Sequence, residues 1–455
     1  MTGNITGSYD FIAVGGGPSG VAAAVSAARR GLRTALVEKS GCLGGMATAG
    51  GVHHLLGGLL YDESSRRYRY NVGGLFREIS DTLIQRGKAV DPHTIDRSRN
   101  PMGWFPSLAA GIAFDPEEMK CLLDTLCLEA GVDVYLLTQA VDAILEKNHI
   151  RGLTAVNKSG LFGMEAPFYG DFTGDGDLAF WTGCSMVLGD KDGGMAPASL
   201  GMCVEHVDGE AMLSYIENNN EPRFRSLIAS LRRQGIWRFP FDVFICIRLD
   251  KADVYMINTL RQVGIDGTCG DSLTRGMMEG RRDNMELFHI MKDHFPGFSD
   301  ARIRSISQDP GIRETRRIQG EYVLRVEDVT SGEEVPDCVA LSSYGWDLPD
   351  PKRPSHQPME GRGGEIKGGL VRIPYRALVP RPVENLVMAG RCISVERDVL
   401  GPVRVMGPCM GTGQAAGLAT LLAFRHDIPY REVDAGELAY ELDLDGCIRF
   451  MGKEG

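Results

Sequence analysis

An α/β fold is predicted, in which a Rossmann-like nucleotide-binding domain is interrupted by an inserted domain of mixed α+β pattern. Three observations predict it. Val14-Gly15-Gly16-Gly17-Pro18-Ser19-Gly20 is a glycine-rich turn between an apolar run and a small-residue stretch. A second glycine-rich stretch, Gly411 to Gly417, reads as a helix start far along the chain, and two such ends suggest one long, folded-over cofactor. Between them, from about residue 190 to 370, strand and helix patterns mix without another GxGxxG.

The first turn sits where a dinucleotide site needs it. Residues 9–14 read as a buried parallel strand, and 18–30 as an alanine-rich helix. Gly15 allows the tight turn, Gly17 lets backbone N–H groups approach a pyrophosphate, and Gly20 lets helix and strand pack closely. The helix N-terminus, starting at Pro18 and Ser19, presents partial positive charge to the phosphates. Residues 34–37 form the next strand and end at Glu38, where a carboxylate can accept ribose hydroxyls.

The glycine-dense segment 40–51 suits a backbone running alongside a ligand. Residues 61–110 are either an excursion over the active site or a solvated insertion, with a helix over 74–86 and a loop near Asn100-Pro101-Met102-Gly103. Asp115-Pro116-Glu117-Glu118 opens a helix that runs to about Ala130, with a capping Asp, an early proline and first-turn carboxylates. Residues 132–137, 140–145 and 152–156 read as strands, an interval expected to return the chain to the nucleotide-binding sheet and to add a small antiparallel meander. A long helix is expected from Ser272 to about Phe295, a strand over 254–258, and a loop or hairpin over 345–368. Residues 385–390 form a late strand able to rejoin the first sheet, followed by a helix over 411–424. The expected organisation is a nucleotide-binding domain over 1–60, 111–190 and 371–455, with a substrate or cap domain over 191–370.

Composition narrows the function. The 455 residues carry a formal net charge of −11, which argues against a nucleic-acid partner. No apolar run reaches the roughly 20 residues needed to cross a bilayer, and the N-terminal apolar segment reads as a strand rather than a signal peptide, so a cytoplasmic location is expected. The eleven cysteines are dispersed without a CxxC pair, so reduced thiols acting as small buried hydrophobes are expected, and no metal centre. Cys392 and Cys409 flank the C-terminal motif and are the two to watch for redox chemistry. The carboxylate-rich turn Gly170 to Asp177 has its glycine misplaced for a calcium loop and lacks the closing Glu.

These motifs together resemble flavoproteins with the glutathione-reductase-like FAD fold, in the group called FAD-dependent oxidoreductases. The resemblance covers almost the whole chain. It rests on VGGGPSG at 14–20, EKSGCLGGMATAG at 38–50, DFTGDGDLA at 171–179, GIRETRRIQGEYVL at 311–324, IPYRALVP at 373–380, and NLVMAGRCIS at 385–394 with GTGQAAG at 411–417. It implies FAD as cofactor, with Gly15 to Ser19 at the pyrophosphate, Glu38 and Lys39 at the adenosine ribose, and Gly44, Gly45, Met46, Ala47 and Thr48 along the stretch from diphosphate to flavin. Val141 would lie near the adenine. Thr173, Gly174, Asp175, Gly390 and Arg391 would line the nucleotide, while the helix at Gly411, Gly413 and Gln414 would direct its N–H groups at the pyrimidine edge of the flavin. There, a helix N-terminus stabilises the charge of the reduced ring.

His53-His54 departs from the pattern, which often has Asn after a branched residue. The pair offers a general base, a covalent flavin attachment point or a packing role. The flavin subunit of heterodisulfide reductases, another relative, carries cluster-binding cysteines that are missing here. No second dinucleotide loop exists for a dedicated nicotinamide domain. The expected activity is hydride transfer between a small polar metabolite and flavin N5, as a dehydrogenase or oxidase with an unidentified electron acceptor. A reductase of an activated double bond and an FAD-binding electron-transfer subunit are the alternatives. Candidate catalytic groups are His53, His54 and Arg404, the last for binding a carboxylate or polarising a carbonyl. Arg313, Arg316 and Arg317 are either substrate ligands or salt-bridge partners. A small-molecule substrate is expected, and a homo-oligomer is compatible with the sequence.

Overall fold

Five short strands, all parallel, lie in the order Leu386–Met388, Phe168–Asp171, Phe11–Val14, Thr34–Val37 and Asp133–Tyr135 in the computed structural model. The structure describes residues 5–62, 65–95, 110–356 and 364–451. The three middle strands are buried along their whole length, which is why Phe11–Val14 and Thr34–Val37 read as largely continuous apolar runs; Phe168–Asp171, with Gly170 and Asp171, lacks that signal. The helix Pro18–Arg29 connects the first two strands in sequence, with proline in its first turn. The late strand Leu386–Met388 rejoins this sheet beside Phe168–Asp171, as expected.

The meander is Gln139–Glu146, His149–Asn157 and Gly160–Glu165, with Ile5–Ser8 parallel at its edge. Within 61–110, the strand Arg67–Tyr70 pairs with Leu59–Asp62, and the helix Gly74–Gln85 buries Phe76, Ile79 and Leu83 in the main core. A solvated insertion would not bury such a face. The loop expected at 100–103 lies outside the described residues.

A second, antiparallel sheet runs Cys246–Arg248, Tyr255–Ile257, Met202–Glu205 and Arg302–Ile306. The long helix Gly270–His294 packs its Leu287, Ile290 and Met291 into the same cluster as Phe224, Trp237 and Phe244. Between the two sheets, the fully buried Glu314 carboxylate holds neighbouring segments together. It accepts from Arg317 Nη1 at 2.9 Å, from Arg397 Nε and Nη2 at 2.8 and 2.7 Å, and from the Ala196 amide at 2.8 Å. Arg316 pairs with Asp177 at 2.8 Å. Salt bridging thus describes Arg316 and Arg317.

The C-terminal helix corrects the sequence reading. It spans Met406–His426, so Gly411 and Gly413 lie inside it rather than at its start. Pro408, in its first turn, is the local signal for the true start. The glycines serve packing: a Cβ at Gly413 would come within 2.1 Å of Ser19 O, and one at Gly417 within 2.3 Å of Ala23 O. The helices from the two ends of the chain therefore touch backbone to backbone.

Gly413→Ala should destabilise the fold by about 1–3 kcal/mol through overpacking, measured by urea denaturation. In an open helix the same change stabilises by about 1 kcal/mol, so a gain in stability would contradict the packing role.

Candidate active site

A cavity of about 890 Å³ opens at the carboxyl ends of the parallel strands, where open α/β sheets bind ligands. Gly15, Gly17, Pro18, Ser19, Glu38 and Lys39 line it, joined by Gly45, Met46, Thr173, Gly174, Asp175, Gly390 and Arg391. Val52, His54, Val405 and Met406 line the same cavity, as do Arg261, Arg313, Tyr344, Asp347 and Arg404. The N-terminus of the Met406–His426 helix thus opens onto the cavity.

The phosphate turn has the geometry its glycines suggest. Gly15 has φ +102°, and a Cβ there would strike the Phe172 carbonyl at 2.5 Å. A Cβ at Gly20 would sit 1.8 Å from Gly15 O, so Gly20 closes the turn from behind and does not line the cavity. At Gly17 a Cβ would meet nothing within 4 Å, leaving the approach to the backbone clear. Glu38 accepts the Gly16 amide at 2.6 Å and the Ser40 amide at 2.7 Å, which fixes its carboxylate beside the turn with lone pairs to spare. Asp175 pairs with Arg391 at 2.8 Å and accepts the Thr315 hydroxyl at 2.8 Å. Asp171, pushed up to about 6 by burial, accepts from Thr173 and the Ala179 amide. Both carboxylates are thus engaged within the protein.

Several expected ligand residues do not line the cavity. Thr48 Oγ1 donates to Leu43 O at 2.6 Å, while Gly44 and Ala47 stand behind Gly45 and Met46. Val141 follows Ala140 on an extended strand, and Ala140 is the one that lines the cavity. Gly411 and Gly413 are helix-packing residues. Gln414 faces away, accepting the Leu75 amide at 3.1 Å and donating to Asp445 at 3.2 Å.

The two histidines diverge, as neighbours along extended backbone do. His53 turns its ring to Phe114, donates from Nδ1 to Ala47 O at 3.0 Å, and does not line the cavity. His54 lines it; neither ring nitrogen makes a hydrogen bond of good geometry among the described residues, but Nε2 packs against Gly111, where a Cβ would come within 2.3 Å of it. Burial pushes both imidazoles down to about 4, against the Ala47 carbonyl at His53 and the Gly111 backbone at His54. Both rings are neutral at ordinary pH.

The far end of the cavity holds residues that sequence patterns did not bring together. Arg261 and Arg313 are 9% and 7% exposed. Arg261 Nη1 donates to Asn258 O and Leu260 O at 2.8 and 2.9 Å, and Arg313 Nη1 donates to Pro197 O at 2.6 Å. Arg404 Nη2 donates to Asp347 O at 2.8 Å and Oδ2 at 3.1 Å, and the Tyr344 hydroxyl donates to the same carboxylate at 2.8 Å. Burial and the neighbouring Arg261 and Arg404 hold Arg313 well below the usual guanidinium range, and burial pushes Arg261 down to about 10. Burial alone would raise Asp347, but Arg404 and Arg313 hold its carboxyl below the ordinary value.

Among the cysteines, Cys121 is exposed, against expectation, while Cys127, Cys246, Cys392 and Cys409 are buried. Burial raises Cys409 to about 12 and Cys392 well above its usual value, which opposes thiolate chemistry at either. Among the described residues, no group of three His, Cys, Asp or Glu could hold a metal ion, and no helix is long and apolar enough to cross a membrane.

A parallel sheet, a glycine turn at a helix N-terminus and an acidic residue ending the second strand define a dinucleotide-binding α/β enzyme. The chain belongs to the FAD dependent oxidoreductase family, whose model matches residues 10–442. Its cofactor is FAD, and the clear approach at Gly17, the Glu38 carboxylate and the roughly 890 Å³ cavity fit that group. A 37-residue stretch is 62% identical to dihydrolipoyl dehydrogenase of Trypanosoma brucei brucei, a match spanning 8% of each protein. Among solved structures, a geranylgeranyl bacteriochlorophyll reductase-like protein of Thermoplasma acidophilum aligns with TM-score 0.48 and 14% identity, over 96% of this chain and 83% of that one. The p-nitrophenol 4-monooxygenase of Pseudomonas putida aligns with TM-score 0.47 and 10% identity, over 97% and 89% of the two chains.

The buried histidines carry a pH signature. Their folded pKa values lie near 4, below the ordinary 6.5, so the unfolded chain binds more protons between those values. Stability from this source is full above about 6.5 and falls as pH drops towards 4. Chemical denaturation across that window should show a shallower acid loss for His54→Asn than for the parent protein; equal slopes would contradict the neutral buried ring.

Proposed function

We propose that this flavoenzyme transfers hydride between a small organic metabolite and flavin N5, as a dehydrogenase or oxidase, with the metabolite bound at the arginine end of the cavity. One observation carries the reading: the phosphate turn, the unpartnered His54 and the buried arginines line one continuous cavity. FAD, when bound, supplies the two-electron chemistry at N5. Gly15 to Ser19 hold its pyrophosphate, Glu38 and Lys39 its ribose, and Gly45, Met46 and Arg391 the stretch between nucleotide and ring.

His54 is neutral and accepts a proton from a substrate hydroxyl at an unpartnered ring nitrogen. Arg404, held by Asp347, polarises the same oxygen. Its guanidinium is oriented by two contacts to one residue, so it approaches the substrate in a fixed direction. His53 positions its neighbour by anchoring the 46–55 segment to Ala47 O. Oxygen, a quinone or a carrier protein takes the electrons onward.

The test is anaerobic bleaching of the FAD-loaded protein by an organic donor without reduced nicotinamide. His54→Asn should slow bleaching about 100-fold at unchanged FAD content. Bleaching by reduced nicotinamide alone would favour a reductase of an activated double bond, and failure of every donor would favour an electron-transfer subunit; either result contradicts the proposal.

A further inference from the structure

We infer that the substrate is an organic carboxylate with an apolar body, its carboxylate held between Arg261 and Arg313 and its body laid along the apolar side chains of Phe241, Val243, Ile245 and Ile247. The inference rests on the reading of the cavity as the substrate site and names the substrate's class.

The charge balance comes first. Three arginines and one aspartate meet at this end of the cavity among the described residues. Arg404 is engaged by Asp347. Arg261 and Arg313, both more than nine-tenths buried, donate only to neutral oxygens, Arg261 Nε has no hydrogen-bond partner among the described residues, and both share the field of Asp347 with Arg404. One carboxylate cannot balance three buried guanidiniums, and a bound anion offsets the surplus positive charge. The planar fork of arginine matches a carboxylate in two parallel hydrogen bonds.

The second observation is the wall beside them. Phe241, Val243 and Ile245 are buried yet form a cluster of their own, separate from the main cores. With Ile247 they line the cavity, and Asp242, which stands between Phe241 and Val243 and also lines it, is paired with Arg225. The Arg261 guanidinium lies over the Phe241 ring, 4.5 Å from its centre, so the apolar wall ends at the cation. A cationic pair at the end of an apolar strip fits an amphipathic anion. It departs from the small polar metabolite that the sequence suggested.

The experiment is calorimetric titration of the FAD-loaded protein with octanoate, octanamide and propionate. Octanoate should bind at least 10-fold tighter than octanamide, which lacks the charge, and than propionate, which lacks the body. Arg313→Met should bring octanoate down to the level of the amide, whereas Arg238→Met, which removes an exposed arginine paired with Glu286 outside the cavity lining, should bind octanoate like the parent. Equal binding of octanoate and octanamide by the parent protein would overturn the inference without any variant. So would undiminished octanoate binding by a folded Arg313→Met protein. A protein that binds octanoate selectively but is bleached by no donor would sink the hydride reading alone; one bleached by a donor yet indifferent to octanoate would sink this inference alone.

Discussion

The structure depends on the contact between its first and last long helices. The main-chain oxygens of Ser19 and Ala23 occupy the space that Cβ atoms at 413 and 417 would take. Only glycine permits that approach. It brings the N-termini of Pro18–Arg29 and Met406–His426 to one cavity. A side chain at the contact would push one helix away and separate two parts of that cavity's wall.

From that contact the remaining parts take their places. Gly390 approaches the Ser19 side chain, a Cβ there falling 2.9 Å from Oγ, so the last strand of the sheet also closes on the phosphate turn. Glu314 ties the second sheet's neighbourhood to the Arg397–Val403 helix through Arg317 and Arg397. That anchoring holds Arg313, the next residue along, in the cavity wall. Breaking such a buried pair leaves an uncompensated charge at a cost of about 3–5 kcal/mol, so the wall is rigid where the substrate charge would sit.

The cofactor half of the site is legible in the sequence because its residues are local. A strand, a glycine turn, a helix, a second strand and Glu38 follow one another within some thirty positions, each with its own signal. The Met406–His426 helix is legible as a helix but not in its start, since glycines placed for interhelical contact look like a phosphate turn, and the true signal is the lone Pro408. The other end of the cavity is legible only in part: Arg313 and Arg404 stand out as candidate anion ligands, but Arg261, Tyr344 and Asp347 come from separate segments, and nothing periodic connects them. One hint exists for Arg261, which stands in a stretch, Met256 to Ile265, without another charged residue. Such an arginine is either exposed or buried for a purpose.

The histidine pair shows what local pattern cannot decide. Two identical side chains, adjacent in sequence and both buried, differ in that one bonds a carbonyl away from the cavity and the other lines it without a partner. Extended backbone alone sets this difference, and only the register of the His54–Leu55 strand against Ile112–Ala113 tells which is which.

The most direct measurement is a crystal structure of the protein with FAD. The expected result is the pyrophosphate over Gly15 to Ser19, the adenosine ribose at Glu38, and the ring beside His54 and Val405 with the space before Arg261 and Arg313 left open. A ring seated away from His54, or one filling the space before those arginines, would contradict a shared cofactor and substrate cavity.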